Sequence, residues 1–271
     1  MNEKAADRVA SRRRSGRSLP WITTPVLVIV FVAAWHAYVA ATHISAFILP
    51  HPSAVWFAWL DLLRDGRAWN DLAITLYETL FGFALALFSG VALGVILGRL
   101  RWLEATLNPF IVAIQVVPKV AFVPLFVVWF GFGMTSKVIV ATVLAFFPIL
   151  TNTILGVKSV ERGHRDVMDS LTASRIAIFR RLELPSSLPY ILTGMEVGIV
   201  LAIIGAIVGE YLGGNSGLGY LLIAKMNAFE TDGLFAVMIQ MTLLGFLLYF
   251  AVGLLRRLLI PWHQSAGEEG V

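Results

Sequence analysis

No cysteine occurs in this sequence. A disulfide framework, a thiolate metal site and a cysteine nucleophile are therefore excluded. Charge is also scarce: 14% of residues are Asp, Glu, Lys or Arg, against about a quarter in a soluble globular chain. Phosphate-cradle and hydrolase signatures are missing too. There is no G-x-x-x-x-G-K-[ST], no G-x-S-x-G and no H-E-x-x-H, so nothing points to catalysis or to a nucleotide site within the chain. His36 has no histidine or carboxylate partner at metal-ligand spacing. The formal charge of +4 is spread over loops without a basic face, which argues against nucleic acid as a partner.

What remains is apolar, and it is arranged in blocks. A helix needs about 20 apolar residues to cross the hydrocarbon core of a bilayer. Six segments qualify: 21–41, 72–98, 107–130, 138–157, 190–212 and 234–255. Barrel strands would instead alternate over about 10 residues. The fold class expected is an all-α membrane protein with six transmembrane helices. Lys and Arg set its orientation. Sixteen lie on one side: six in the tail before the first span, Arg99 and Arg101, six between spans four and five, and Arg256 and Arg257. Four lie on the other: Arg64, Arg67, Lys137 and Lys225. Both termini are expected on the cytoplasmic side. The first span, long and without a small-residue cleavage site, reads as an uncleaved anchor.

Small residues recur every fourth position in span two: Gly82, Ala86, Gly90, Gly94 and Gly98. They fall on one helix face, where backbones can approach and gain contact that lipid cannot replace. Span three holds Pro118, Lys119 and Pro124. The prolines should kink or break it, and the lysine should avoid lipid or pair with a carbonyl. Gln115, Pro118, Lys119, Asn152 and Glu210 are the candidate lining of a substrate path. Glu78, Glu196 and Glu210 lie near span ends and are expected to be interfacial. Beyond span one, "LPHPSAVWFAWLDLL" reads as an amphipathic turn on the outer surface, capped by Ser53. "GGNSGLGYLL" reads as a glycine-rich turn after span five.

Residues 158–188 combine mixed charge with apolar knobs at Ile176, Ile178 and Phe179. The pattern is a helix–turn–helix, its second helix ending at Pro185 and capped by Thr172 or Ser174. Each knob is worth about 1.5–3 kcal/mol if fully buried, so the loop packs on its own spans or docks into a partner.

Here the chain resembles the permease subunits of ABC importers. Their cytoplasmic motif E-A-A-x3-G-x9-I-x-L-P is matched in spacing by Asp166-Val167-Met168, Thr172, Leu182 and Leu184-Pro185. Asp169, Ser174, Ile176, Ile178 and Phe179 complete the segment. "PKVAFVPLFVVWFGFGMTSKV", "FFPILTNTILGVKSV", "LPSSLPYILTG" and "GEYLGGNSGLGYLL" look like the nitrate/sulfonate/taurine branch. The resemblance implies the type I ABC importer permease fold, in a bacterial inner membrane. Its implied organisation is a basic cytoplasmic tail (1–20), a first transmembrane helix (21–41), a periplasmic segment (42–70), a transport domain (71–257) with the coupling loop 158–188, and a cytoplasmic tail (258–271). It also implies three partners: a cytoplasmic ATPase subunit that binds the ATP, a periplasmic solute-binding protein, and a second permease copy in a homodimer. Thr172 stands where the family has glycine, and it is expected to serve as N-cap of the second loop helix. Two other classes share some of these features. An ion-gradient-driven secondary transporter would need intramembrane carboxylates and paired half-repeats. A non-transporting assembly subunit would show no substrate-dependent transport.

Overall fold

A computed structural model describes residues 19–260. The basic tail and the last eleven residues lie outside the described residues. In chain order the helices are α1 (Leu19–Thr42), α2 (Pro52–Arg64), α3 (Gly66–Arg99), α4 (Arg101–Val116), α5 (Val123–Phe130), α6 (Met134–Lys158), α7 (Arg162–Ser170), α8 (Arg175–Ile178), α9 (Leu184–Gly213), α10 (Leu218–Asn227) and α11 (Thr231–Leu259). Among the described residues, five helices are long and apolar enough to cross a membrane, or six if the bent pair formed by α4 and the segment through α5 is one span.

That pair turns through 81° where proline was expected to break it. Val117 and Pro118 are extended, and a 3-10 turn (Lys119–Phe122) leads into α5. Pro124 falls in the first turn of α5, where its missing N–H costs nothing.

The core is the α3–α6–α9 triplet. The small residues of α3 meet α6 so closely that there is no room for side chains between them. A Cβ on Gly82 would lie 2.5 Å from that of Ala141, on Gly94 2.6 Å from that of Thr153, and on Gly98 2.7 Å from that of Val157. From the other side α9 brings Gly194, Gly198, Gly205 and Gly209 against Asn152, Ile149, Ala141 and Lys137. Close backbone approach on two faces of α6 supplies the van der Waals contact that holds helices together in lipid. Ala86 is fully buried in the same core.

Three expectations require correction. The first concerns α2, which is a full helix rather than a surface turn. It starts after His51 with Pro52 in its first turn, and Ser53 lies inside it. Its Leu62 packs with Ala68 and Val237, and Trp59 Nε1 donates to Gln240 Oε1 at 2.9 Å. An apolar face plus one indole donor that satisfies a span glutamine draws it onto α11.

The second concerns Pro185, which does not end the loop helix. A wide π turn (Phe179–Glu183) joins α8 to α9, and Pro185 sits in the first turn of α9. The longer i→i+5 repeat gives the proline ring room that an α turn would deny it. The fifth span therefore continues from the loop without a break, over Arg175–Gly213.

The third concerns Lys137, counted among the charges outside the spans because it precedes span four (138–157). It lies in the first turn of α6 and is 1% exposed.

Candidate functional site

The bundle has two polar ends, and each is built on the same three helices. At the end carrying residues 158–188, Glu183 is buried at the root of the loop. It accepts from Arg99 of α3 and from Arg165 of α7, one arginine on each oxygen. Arg99 also lies over the Phe179 ring, 4.6 Å from its centroid, a cation–π contact. Alongside, Lys158 of α6 pairs with Glu104 of α4 at 2.6 Å. The loop is thus fastened to the bundle through one carboxylate that bridges two elements.

Above that root stands an elbow. α7 and α8 meet at a tight turn in which Thr172 has φ +53°. Its side chain is not the N-cap of α8, contrary to the expectation. Ser174 is the cap, its Oγ accepting from the Ala177 N–H at 3.2 Å. Thr172 instead takes the left-handed conformation, which costs an L residue about 1–2 kcal/mol. Glycine at this position avoids that cost. Thr172→Gly is therefore expected to raise stability by about 1 kcal/mol, read as a higher melting temperature in detergent; a lower one would show that the hydroxyl contributes more than the strain.

The elbow presents its apolar residues outward. Leu171 is 70%, Ile176 68% and Val167 56% exposed. Of the predicted knobs, Ile176 points away from the bundle, whereas Ile178 and Phe179 are half-buried at the root. Asp166 and Asp169 are exposed on α7, Leu182 and Pro185 are half-buried, and Leu184 lies at the edge of α9.

At the far end, three charged groups lie inside the bundle. Lys137 Nζ is 3.2 Å from Glu78 Oε1, and Glu210 accepts from Thr75 Oγ1 at 2.6 Å and from the Gly219 N–H at 2.7 Å. Glu78 and Glu210 are essentially unexposed, which corrects their assignment to an interface. The apolar flanks of these residues gave no sign that α3, α6 and α10 would enclose them together. Glu196 is half-buried and paired with Arg256 at 3.0 Å. That pair lines a groove of about 900 Å³ along α11, formed by Phe246, Tyr249, Phe250 and Leu254.

A family model described as "Binding-protein-dependent transport system inner membrane component" matches residues 90–263. The chain is also 38% identical to the riboflavin transport system permease protein RibX of Chloroflexus aurantiacus over 95% of its length and 97% of that protein. The chain belongs to this permease family. It is the membrane subunit of a binding-protein-dependent ABC importer, working with an ATPase subunit and a solute-binding protein and carrying no ATPase activity itself. It is 33% identical to the aliphatic sulfonates transport permease protein SsuC of Escherichia coli K12, over 92% of this chain and 93% of that one. Its fold matches an inward-facing structure of the MetNI methionine ABC transporter, with a TM-score of 0.56 over 72% of this chain and 94% of that chain at 21% identity.

The permease does not gather its five path candidates into one site. Lys119 Nζ donates to the Gln115 carbonyl at 3.1 Å and lies 5.2 Å from the Phe147 ring centroid, at the break where Pro118 sits. Asn152 donates to the Pro148 carbonyl of its own helix at 2.8 Å. Glu210 belongs to the far-end cluster. Among the described residues no three His, Cys, Asp or Glu side chains could hold a metal ion.

Proposed function

We propose that this permease moves a small anionic or aromatic solute through a path shared by two copies of the chain, with 71–257 as the translocating body, and that it is driven through its elbow. Residues 166–185 insert into a cleft of the cytoplasmic ATPase subunit. Asp166, Asp169, Thr172, Ser174, Ile176, Ile178, Phe179, Leu182, Leu184 and Pro185 form the coupling segment. Both termini face the cytoplasm, in agreement with the Lys and Arg bias. The solute class is supported by the riboflavin and sulfonate relatives. Gln115, Pro118, Lys119, Asn152 and Glu210 remain the candidate path residues, with Lys119 and Pro118 at the broken span the foremost of them.

One observation carries the coupling role. Val167, Leu171 and Ile176 stand in the open on an elbow whose own root is tied down by Glu183. A solvated loop gains nothing from exposed apolar knobs, while a partner groove gains about 1.5–3 kcal/mol from each one buried. Docked-element motion is an established switching mode. The test is co-purification of the ATPase subunit from membranes. Ile176→Asp should weaken retention by about tenfold or more, since every 1.4 kcal/mol is tenfold. Undiminished retention in both Ile176→Asp and Leu171→Asp would remove the elbow from the interface.

A further inference from the structure

The far-end cluster is placed where the ATPase reading gives it no role, and it is costly. Two carboxylates and one ammonium are withdrawn from solvent, and the Glu78 oxygens accept no hydrogen bond of good geometry. Buried ion pairs seldom repay their desolvation, and their best-attested use is to fix register or to switch. What this cluster fixes is visible in the backbone. The turn between α9 and α10 (214–217) and the start of α10 expose three consecutive N–H groups to side chains of other elements. Gly217 donates to Asp71 Oδ1 at 2.8 Å, Leu218 to Thr75 Oγ1 at 2.8 Å and Gly219 to Glu210 Oε2 at 2.7 Å. The Ser216 carbonyl accepts from Lys137 Nζ at 3.3 Å. Gly217 has φ +98°, and a Cβ there would lie 2.0 Å from Glu210 Oε1. Only glycine lets the turn press this closely on the carboxylate.

The same three helices carry the other end. α3 holds Asp71, Thr75 and Glu78 at one end and Arg99 at the other; α6 holds Lys137 and Lys158; α9 runs from the Glu183 root to Glu210. Between the ends, glycine contacts hold α6 at backbone distance from both neighbours. Interiors packed this closely are hard to compress and transmit displacement.

We propose that Thr75, Lys137 and Glu210 are positioning residues for transport: they weld the 214–217 turn to α3, α6 and α9, so that displacement delivered at the Glu183 root emerges at that turn. The inference rests on the elbow being the ATPase-docking element. The turn is the far-end segment driven by ATP, and the cluster is the joint that drives it.

Absence of native cysteine makes the test direct. Asn215, exposed in the turn, is replaced (Asn215→Cys) and labelled with an environment-sensitive maleimide fluorophore in the purified permease–ATPase complex. Adding Mg-ATP should change the fluorescence. Placing Thr75→Val or Lys137→Met behind the probe should cut that change at least threefold, while the ATPase still co-purifies and hydrolyses ATP. Lys137→Arg, which keeps a cationic donor at this position, should restore most of it; retained ATPase binding and hydrolysis in the weakened variants separate lost transmission from lost fold. Thr75→Val keeps side-chain volume and removes only the hydroxyl, so it carries the test if Lys137→Met does not accumulate. An undiminished response in Thr75→Val, or no response to Mg-ATP in the parent complex, overturns the joint. Failure of the parent to retain the ATPase overturns the docking reading instead.

Discussion

Glu183→Gln is expected to lower solute transport at least tenfold while leaving ATP hydrolysis by the attached ATPase within about twofold. The carboxylate touches both the elbow, through Arg165, and the bundle, through Arg99. The glutamine side chain has nearly the same volume but only one oxygen acceptor and no charge. It can hold one arginine weakly and cannot bridge two. The two arginine side chains are 40% and 47% exposed, so once released they are solvated rather than stranded. Stability should therefore fall by only about 1–2 kcal/mol, below the 3–5 kcal/mol of a fully buried broken pair. What is lost is the rigid connection. Reconstitution with the ATPase and solute-binding protein in liposomes, counting solute moved per ATP hydrolysed, reads this directly. Equal loss of transport and hydrolysis would mean that Glu183 supports the fold and not the transmission.

Gly205→Leu is expected to abolish accumulation of the protein in the membrane. A Cβ at this position would lie 2.7 Å from Ala141 Cα and 3.0 Å from Ala141 N, where nonbonded carbons prefer about 3.5–4.0 Å. The obstacle is backbone, so no rotamer change relieves it. α9 and α6 would have to part, and the contacts of Gly198 and Gly209 along the same line would open with them. Overpacking alone costs about 1–3 kcal/mol, and a leucine also forfeits the neighbouring close contacts on which association in lipid depends. Gly253→Leu is the control. It has open space within 4 Å of its Cβ position and should accumulate normally. Membrane levels by immunoblot and melting in detergent measure both. Equal behaviour of the two variants would show that glycine in α9 is not there for close packing.

Much of the architecture was legible because lipid imposes simple rules. A chain must satisfy its backbone within each span, so apolar runs announce helices. Span two announced its packing face through the four-residue repeat from Gly82 to Gly98, and Pro118 announced the break in span three. The elbow was legible from knobs that a solvated loop does not need. Thr172 was misread because a hydroxyl before a helix resembles a cap, whereas the turn at that point requires positive φ and Ser174 lies at the capping distance. Pro185 was misread because the π turn that accommodates it has no sequence signature.

Length, apolar blocks and motif spacing by themselves determined that this is a multi-pass helical permease. Those properties depend on each segment's own exchange between water and lipid, which local composition sets. Only the tertiary structure decided that Glu78, Lys137 and Glu210 share one buried cluster, and that Glu183 joins Arg99 to Arg165. Arg165 and Arg99, 18 and 84 residues from Glu183, meet it because helices pack at glycine distance, and a linear pattern does not encode which faces will come to rest against each other.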